Sequence, residues 1–78
     1  MRKLGEKREY LKQLRKAKKL SVRQIAPLVG ASFSHYSDIE NGRRNPSIEL
    51  SMKMADFLGI ELSILLKDRV KFTEKNIG

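Results

Sequence analysis

Cysteine and tryptophan are absent from this 78-residue chain, histidine occurs once, as His35, and proline only twice. Without cysteine there is neither a disulfide nor a thiolate metal site. A single histidine removes most zinc geometries and any nucleophile that relies on a second histidine. No apolar run approaches the ~20 residues needed to span a bilayer. Residues 1–19 are charged throughout and lack the apolar stretch of a signal peptide. Also missing are paired carboxylates beside a candidate base and a glycine-rich loop that could cradle phosphates. No enzyme, cofactor or metal is therefore expected. A chain this short buries only roughly 60% of its extended-chain surface, so one small cytoplasmic binding domain is the expectation.

What the chain has in excess is positive charge. Lys and Arg number 17 against 9 Asp and Glu, a net +8. Such a balance points to a polyanionic partner, nucleic acid before an acidic membrane. The charge is uneven. Residues 1–19 hold nine basic side chains, among them Arg8 and Arg15, against Glu6 and Glu9, which makes +7. Residues 20–42 sum to −1 and residues 43–78 to +2. A solvated helix face accounts for such a basic block as well as a binding surface does, so charge alone does not make a nucleic-acid binder.

The pattern is helical almost throughout. Leu11, Leu14 and Ala17 recur at helical spacing among good helix formers, predicting a first helix over about 5–18. Ser21, Ser32 and Ser47 are natural N-caps for three further helices. Gly30, the pair Asn41-Gly42 and Gly59 stand where those helices would stop. Pro27 falls inside the second helix, where it removes a hydrogen bond; a kink or an early end is expected there, the kink being preferred because Leu28 and Val29 need to reach the core. Ile48, Met52, Ala55 and Leu58 form the expected apolar stripe of the fourth helix, and a short fifth helix covers about 62–67. Tyr36, Ile39, Leu14, Ile25, Ala26, Val29 and Leu65 complete the expected core. Residues 68–78 are polar, with Val70 and Phe72 alternating, and read as a frayed tail or a short strand.

The segment from Leu20 to Ser32 (LSVRQIAPLVGAS), followed by Ser37 to Ser47 (SDIENGRRNPS), closely resembles the phage repressor and Cro-type (XRE) helix-turn-helix family. The likeness covers about residues 11–66. It implies an all-α, compact five-helix bundle of the lambda-repressor-like DNA-binding type, with the helix-turn-helix at helices 2 and 3. It also implies binding to double-stranded DNA, usually as a symmetric dimer, and the expected division is a DNA-binding domain over 1–67 with a C-terminal tail over 68–78.

By resemblance, a recognition helix over 32–41 presents Ser32, Phe33, Ser34, His35 and Asp38 to base edges in the major groove. Ser32 can cap the helix and still touch a phosphate or a thymine methyl, and Ser34 suits several bases. His35 can donate to a guanine acceptor or stand aside on the helix flank. Phe33, in place of a common polar residue, can pack on thymine methyls or turn back onto Pro27 or Leu28. Asp38 faces phosphates unfavourably unless it accepts from a cytosine amino group or a neighbouring arginine. Phosphate contacts fall to Ser21, Val22 and Arg23 at the start of the second helix and to Asn41, Arg43 and Arg44 after the third. Val22 replaces a glutamine found in many members, and Arg23 can compensate.

The resemblance further implies a structural pair between Arg15 and Glu40. Ser51 occupies a position that is usually large and apolar. Ile64, Leu65 and Leu66 cannot all point inward from one short helix, so part of that excess is a candidate homodimer patch. Two functional classes follow: a sequence-specific repressor on a near-palindromic operator, or the antitoxin half of a toxin–antitoxin pair that holds its partner with the tail from Val70 to Gly78. A basic amphipathic helix on a membrane would explain residues 1–19 but leave the two-helix motif without purpose.

Overall fold

The computed structural model describes residues 2–71. Five helices make up nearly all of its regular structure: α1 (Glu9–Ala17), α2 (Val22–Leu28), α3 (Phe33–Glu40), α4 (Ile48–Leu58) and α5 (Leu62–Lys67). Two short strands, β1 (Arg2–Lys3) and β2 (Val70–Lys71), pair in parallel with Arg2 opposite Val70. The chain is thus an all-α bundle in which a two-residue parallel pairing ties the segment before α1 to the segment after α5.

Local chemistry explains most of the boundaries. The hydroxyls of Ser21, Ser32 and Ser47 each accept from the backbone amide three residues on, satisfying donors that a helix start otherwise leaves open. At α2 the cap is reciprocal, because the Gln24 side chain accepts from the Ser21 amide at 2.8 Å. Gly42, which follows α3, has φ +73°, and a Cβ there would lie 2.0 Å from the Glu6 carbonyl oxygen. The Gly5 amide donates to the Gly42 carbonyl at 2.7 Å, so only glycine allows the N-terminal segment to lie against this turn. Pro27 stands in the last turn of α2, and the helix ends one residue later at Leu28. The preferred expectation of a kink gives way to the early end. Val29 turns into the core while Leu28 stays outside.

Two boundaries differ from the sequence reading. α1 begins at Glu9 and not near residue 5, because Gly5 takes φ +86° and the chain before Arg8 is committed to β1 and a turn. It ends at Ala17 with Lys18 as its cap, and the next residue, Lys19, takes φ +60°, a left-handed conformation without glycine. The buried face of α4 is also rotated from the expected one. Leu50, Ser51, Met54, Ala55 and Leu58 point inward, whereas Ile48 and Met52 are 64% and 54% exposed. Helix α4 carries apolar residues on two faces, and the polar Ser51 sits in the middle of the one that packs. Around it the core closes with Leu11, Ile25, Ala26, Val29, Tyr36, Ile39 and Leu65, while Leu14 is only half-buried against them.

The N-terminal basic block also holds a surprise. Arg8 is fully buried. Its guanidinium donates to the carbonyls of Ile39 at 2.5 Å, Arg44 at 3.0 Å and Asp68 at 3.0 Å, and to Asn45 Oδ1 at 2.9 Å. The Asp68 carboxylate accepts from Arg2 Nε and from the Tyr10 hydroxyl, both at 2.6 Å, and lies 3.4 Å from Arg8 Nε. Desolvation pushes the Asp68 carboxyl up, but the hydrogen bonds from Arg2 and Tyr10 and the two arginine charges outweigh it and hold the group below its ordinary value. Burial and the bond to Asp68 push the Tyr10 hydroxyl well above its ordinary value. Asn45 finishes the clamp: its Oδ1 accepts from the Val70 amide at 2.6 Å and its Nδ2 donates to the Val70 carbonyl at 3.0 Å. The turn after α3 is therefore held by the segments before α1 and after α5. Val70 is buried by these contacts and is not available to a partner; Phe72 and the rest of the expected tail lie outside the described residues.

Candidate nucleic-acid interface

Helices α2 and α3 pack through Ile25, Ala26 and Val29 against Tyr36 and Ile39. The three-residue turn Gly30-Ala31-Ser32 joins them, with Gly30 at φ +80° and the Ala31 amide donating to the Ala26 carbonyl at 2.9 Å. This buries one side of α3 and leaves its first turn facing outward. Ser32, Phe33 and Ser34 are exposed, and His35 and Asp38 are half-exposed. The Ser32 hydroxyl accepts from the His35 amide at 3.1 Å, which leaves its O–H donor and one lone pair for a ligand.

Basic groups flank this outward turn on both sides. The Arg23 guanidinium lies over the Phe33 ring, 4.5 Å from the centroid. This cation–π contact joins the first turn of α2 to the first turn of α3 and gives a flexible arginine a fixed platform. Phe33 remains 43% exposed beneath it. Beyond the other end of α3, Arg43 and Arg44 project into solvent with Asp38 between them, 3.9 Å from Arg43 Nη1 and 3.6 Å from Arg44 Nε. Such exposed pairs contribute roughly 0–1 kcal/mol each, so they orient the side chains loosely and leave the arginines free to change partner. Asp38 meets the two neighbouring arginines, the second of the two environments in which a carboxylate is tolerated there.

Several expected residues have other duties. Asn41 Nδ2 donates to the Ser37 carbonyl at 2.9 Å, which spends that group on closing α3. Val22 is half-buried and packs on the core, so only its backbone amide can face a phosphate. The Ser21 hydroxyl and amide are both engaged in capping α2. Arg15 and Glu40 form a two-bond pair, Nε to Oε2 at 2.8 Å and Nη2 to Oε1 at 3.1 Å, and Arg15 Nη1 also donates to the Leu20 carbonyl at 2.8 Å. The hydrogen bond to Glu40 outweighs desolvation and raises the Arg15 value above its ordinary one. This pair fixes the far side of α3 to α1 and to the turn before α2. Of the candidate dimer patch, Leu65 belongs to the core, whereas Ile64 and Leu66 are 43% and 37% exposed.

Two contributors escape the sequence reading. Arg8 braces the turn after α3 from inside, and its only signal is a carboxylate sixty positions away. Arg69 lines an open concavity with Arg43, Arg44 and Asn45. Nothing in its local sequence singles it out from the other basic residues.

A helix-turn-helix family model matches residues 11–65, the span from α1 to near the end of α5. The chain is 32% identical over 69 residues to an uncharacterized HTH-type transcriptional regulator, YqaF, of Bacillus subtilis, covering 88% of this chain and 91% of that one. It is 44% identical over 59 residues to the control protein C.MunI of a Mycoplasma species, covering 74% and 80%. It is 34% identical over 67 residues to the immunity repressor protein of Bacillus phage phi105, covering 86% of this chain but 46% of the repressor. With its caps, three-residue turn and buried Arg15–Glu40 pair in place, the chain belongs to the helix-turn-helix family of the phage repressor and Cro type.

Proposed function

We propose that this chain is a transcriptional regulator that binds double-stranded DNA sequence-specifically, as a repressor acting through a two-fold dimer on a near-palindromic operator. The observation that carries the reading is the outward first turn of α3, with Arg23 stacked on Phe33 at one side and Arg43 and Arg44 at the other. A helix laid in the major groove works with that arrangement: side chains able to hydrogen-bond or pack on base edges along its outward turn, and guanidiniums toward the two backbones. The names carried by the relatives, HTH-type transcriptional regulator and immunity repressor, favour a regulator over an antitoxin.

In this reading Phe33, Ser34, His35 and Asp38 select bases, and the Ser32 hydroxyl donates to the backbone or packs beside it. Arg23, Arg43 and Arg44 contact phosphates, helped by the Val22 amide; the Ser21 amide is held by Gln24 and the Asn41 Nδ2 by Ser37, so these two support the site from behind. Residues 1–67 form the DNA-binding unit, braced by Asp68 and Val70; any contact with a protein partner falls to the segment beyond Val70. Ile64 and Leu66 meet their counterparts across the two-fold axis and set the two α3 helices about 34 Å apart, one turn of DNA. Such a regulator works in the cytoplasm, on the nucleoid.

The division of labour is testable in one binding series. Replacing Phe33 or His35 by Ala is expected to alter the preferred base at one position. Arg43→Gln is expected to weaken binding alike on every duplex and to reduce the log–log salt slope by about 0.9. The reading is overturned if Arg43→Gln changes sequence preference while the changes in α3 leave it intact.

A further inference from the structure

The phosphate-facing surface does not stop at the helix-turn-helix. Arg69 lies beyond the segment matched by the family, yet it lines the same concavity as Arg43 and Arg44. Its position is fixed on every side. The preceding residue, Asp68, is anchored to Arg2, Arg8 and Tyr10 through its carboxylate and to Arg8 through its carbonyl. The Arg69 carbonyl accepts from the Arg2 amide at 3.1 Å, and the following residue, Val70, is held at both backbone groups by Asn45. The Arg69 side chain donates once, from Nη1 to the Pro46 carbonyl at 3.1 Å. Among the described residues no carboxylate pairs with it: Asp68 faces the other arginines, and Asp38 serves Arg43 and Arg44. A guanidinium offers five N–H donors, so a preorganised, uncompensated arginine stands at the mouth of an arginine-lined hollow with most of its donors unspent.

We infer that Arg69 completes, with Arg43 and Arg44, a binding site for a backbone phosphodiester of duplex DNA. The inference rests on the DNA-binding reading above and extends it to the C-terminal segment. The planar fork suits two phosphate oxygens at once, and the bond to Pro46 keeps the fork aligned before DNA arrives. The small parallel sheet then has a purpose beyond closing the bundle: it delivers a third arginine to the turn that follows α3.

The test uses the full chain and a mixed-sequence duplex, because a phosphate contact carries no sequence information. Wild type, Arg69→Gln and Arg44→Gln are compared over a fourfold range of salt. Arg69→Gln is expected to lower the log–log slope by about 0.9, so that its affinity falls about 3.5-fold less than that of wild type across the range. An unchanged slope in Arg69→Gln beside a reduced one in Arg44→Gln overturns the assignment of Arg69 alone. A wild-type chain without salt-dependent duplex binding overturns the underlying reading instead. Should Arg69→Gln fail to fold, the Arg69 Nε–H resonance of labelled wild type serves: it is expected to shift saturably as duplex is added, and a resonance that does not move overturns the inference.

Discussion

Two hydroxyls, those of Tyr36 and Ser51, are buried without a hydrogen-bond partner among the described residues. A buried polar group left unpaired costs about 1–3 kcal/mol, and removing it is cheap where the remaining shape fits. Tyr36→Phe and Ser51→Ala are therefore expected to leave stability unchanged or raise it by about 1 kcal/mol, which in a domain of this size moves Tm by about 4–8 °C. Urea unfolding of each variant checks this; a loss of 1 kcal/mol or more would mean that the hydroxyl has a partner. Asp68 is the opposite case, a carboxylate with three donors around it. Its value lies below that of an unfolded aspartate, so its contribution is fully present above the unfolded value of about 3.9. That contribution is lost as pH falls through the lower folded value. Asp68→Asn is expected to be less stable than wild type at neutral pH and to lose less on acidification, as measured by unfolding from pH 7 to pH 2. Parallel pH curves would reject the role assigned to the carboxylate. None of this network is legible locally, because Arg2, Arg8, Tyr10 and Asp68 meet only after the whole bundle has folded.

The helices themselves are a different matter. Three serine caps and the glycine stops are local chemistry, and from them the starts of α2, α3 and α4 and the ends of α3 and α4 are readable in the sequence. The start of α1 is not, since Arg8 precedes it without a side-chain cap, and its end depends on a left-handed Lys19. A left-handed conformation costs a non-glycine residue roughly 1–2 kcal/mol. Lys19→Gly is therefore expected to raise stability, by less than that because glycine also loses more freedom on folding. The face of α4 is misread for a definite reason: Ser51 interrupts the stripe that packs, while Ile48 and Met52 decorate one that does not. Between elements, the pair of Arg15 and Glu40 holds α3 against α1. Breaking a buried pair from one side costs about 3–5 kcal/mol, and burial protects it from salt screening. Glu40→Ala is expected to melt well below wild type in high salt and without DNA; an equal melting temperature would show the pair to be dispensable.

At the scale of the whole molecule, the net charge of +8 divides into structural and available parts. Arg8 is buried, Arg15 is paired with Glu40, and Arg2 is paired with Asp68. Three of the basic residues that make the N-terminus look like a binding surface are thus internal braces. The exposed first turn of α3 and the arginines on either side of it are legible in the sequence, because both lie within one contiguous motif. The support behind them is not, since it comes from the segments before α1 and after α5. The available charge governs encounter and salt dependence: with about 6 phosphates contacted per bound unit, the log–log slope is expected near −5. The proposed function assigns the choice of bases to the few side chains at the start of α3. Selection from a random duplex pool, repeated at two salt concentrations, tests that claim most directly. The expected result is a near-palindromic site whose half-sites are one helical turn apart, enriched at both salts while overall affinity drops steeply. Retention of duplex without enrichment of any sequence would contradict it.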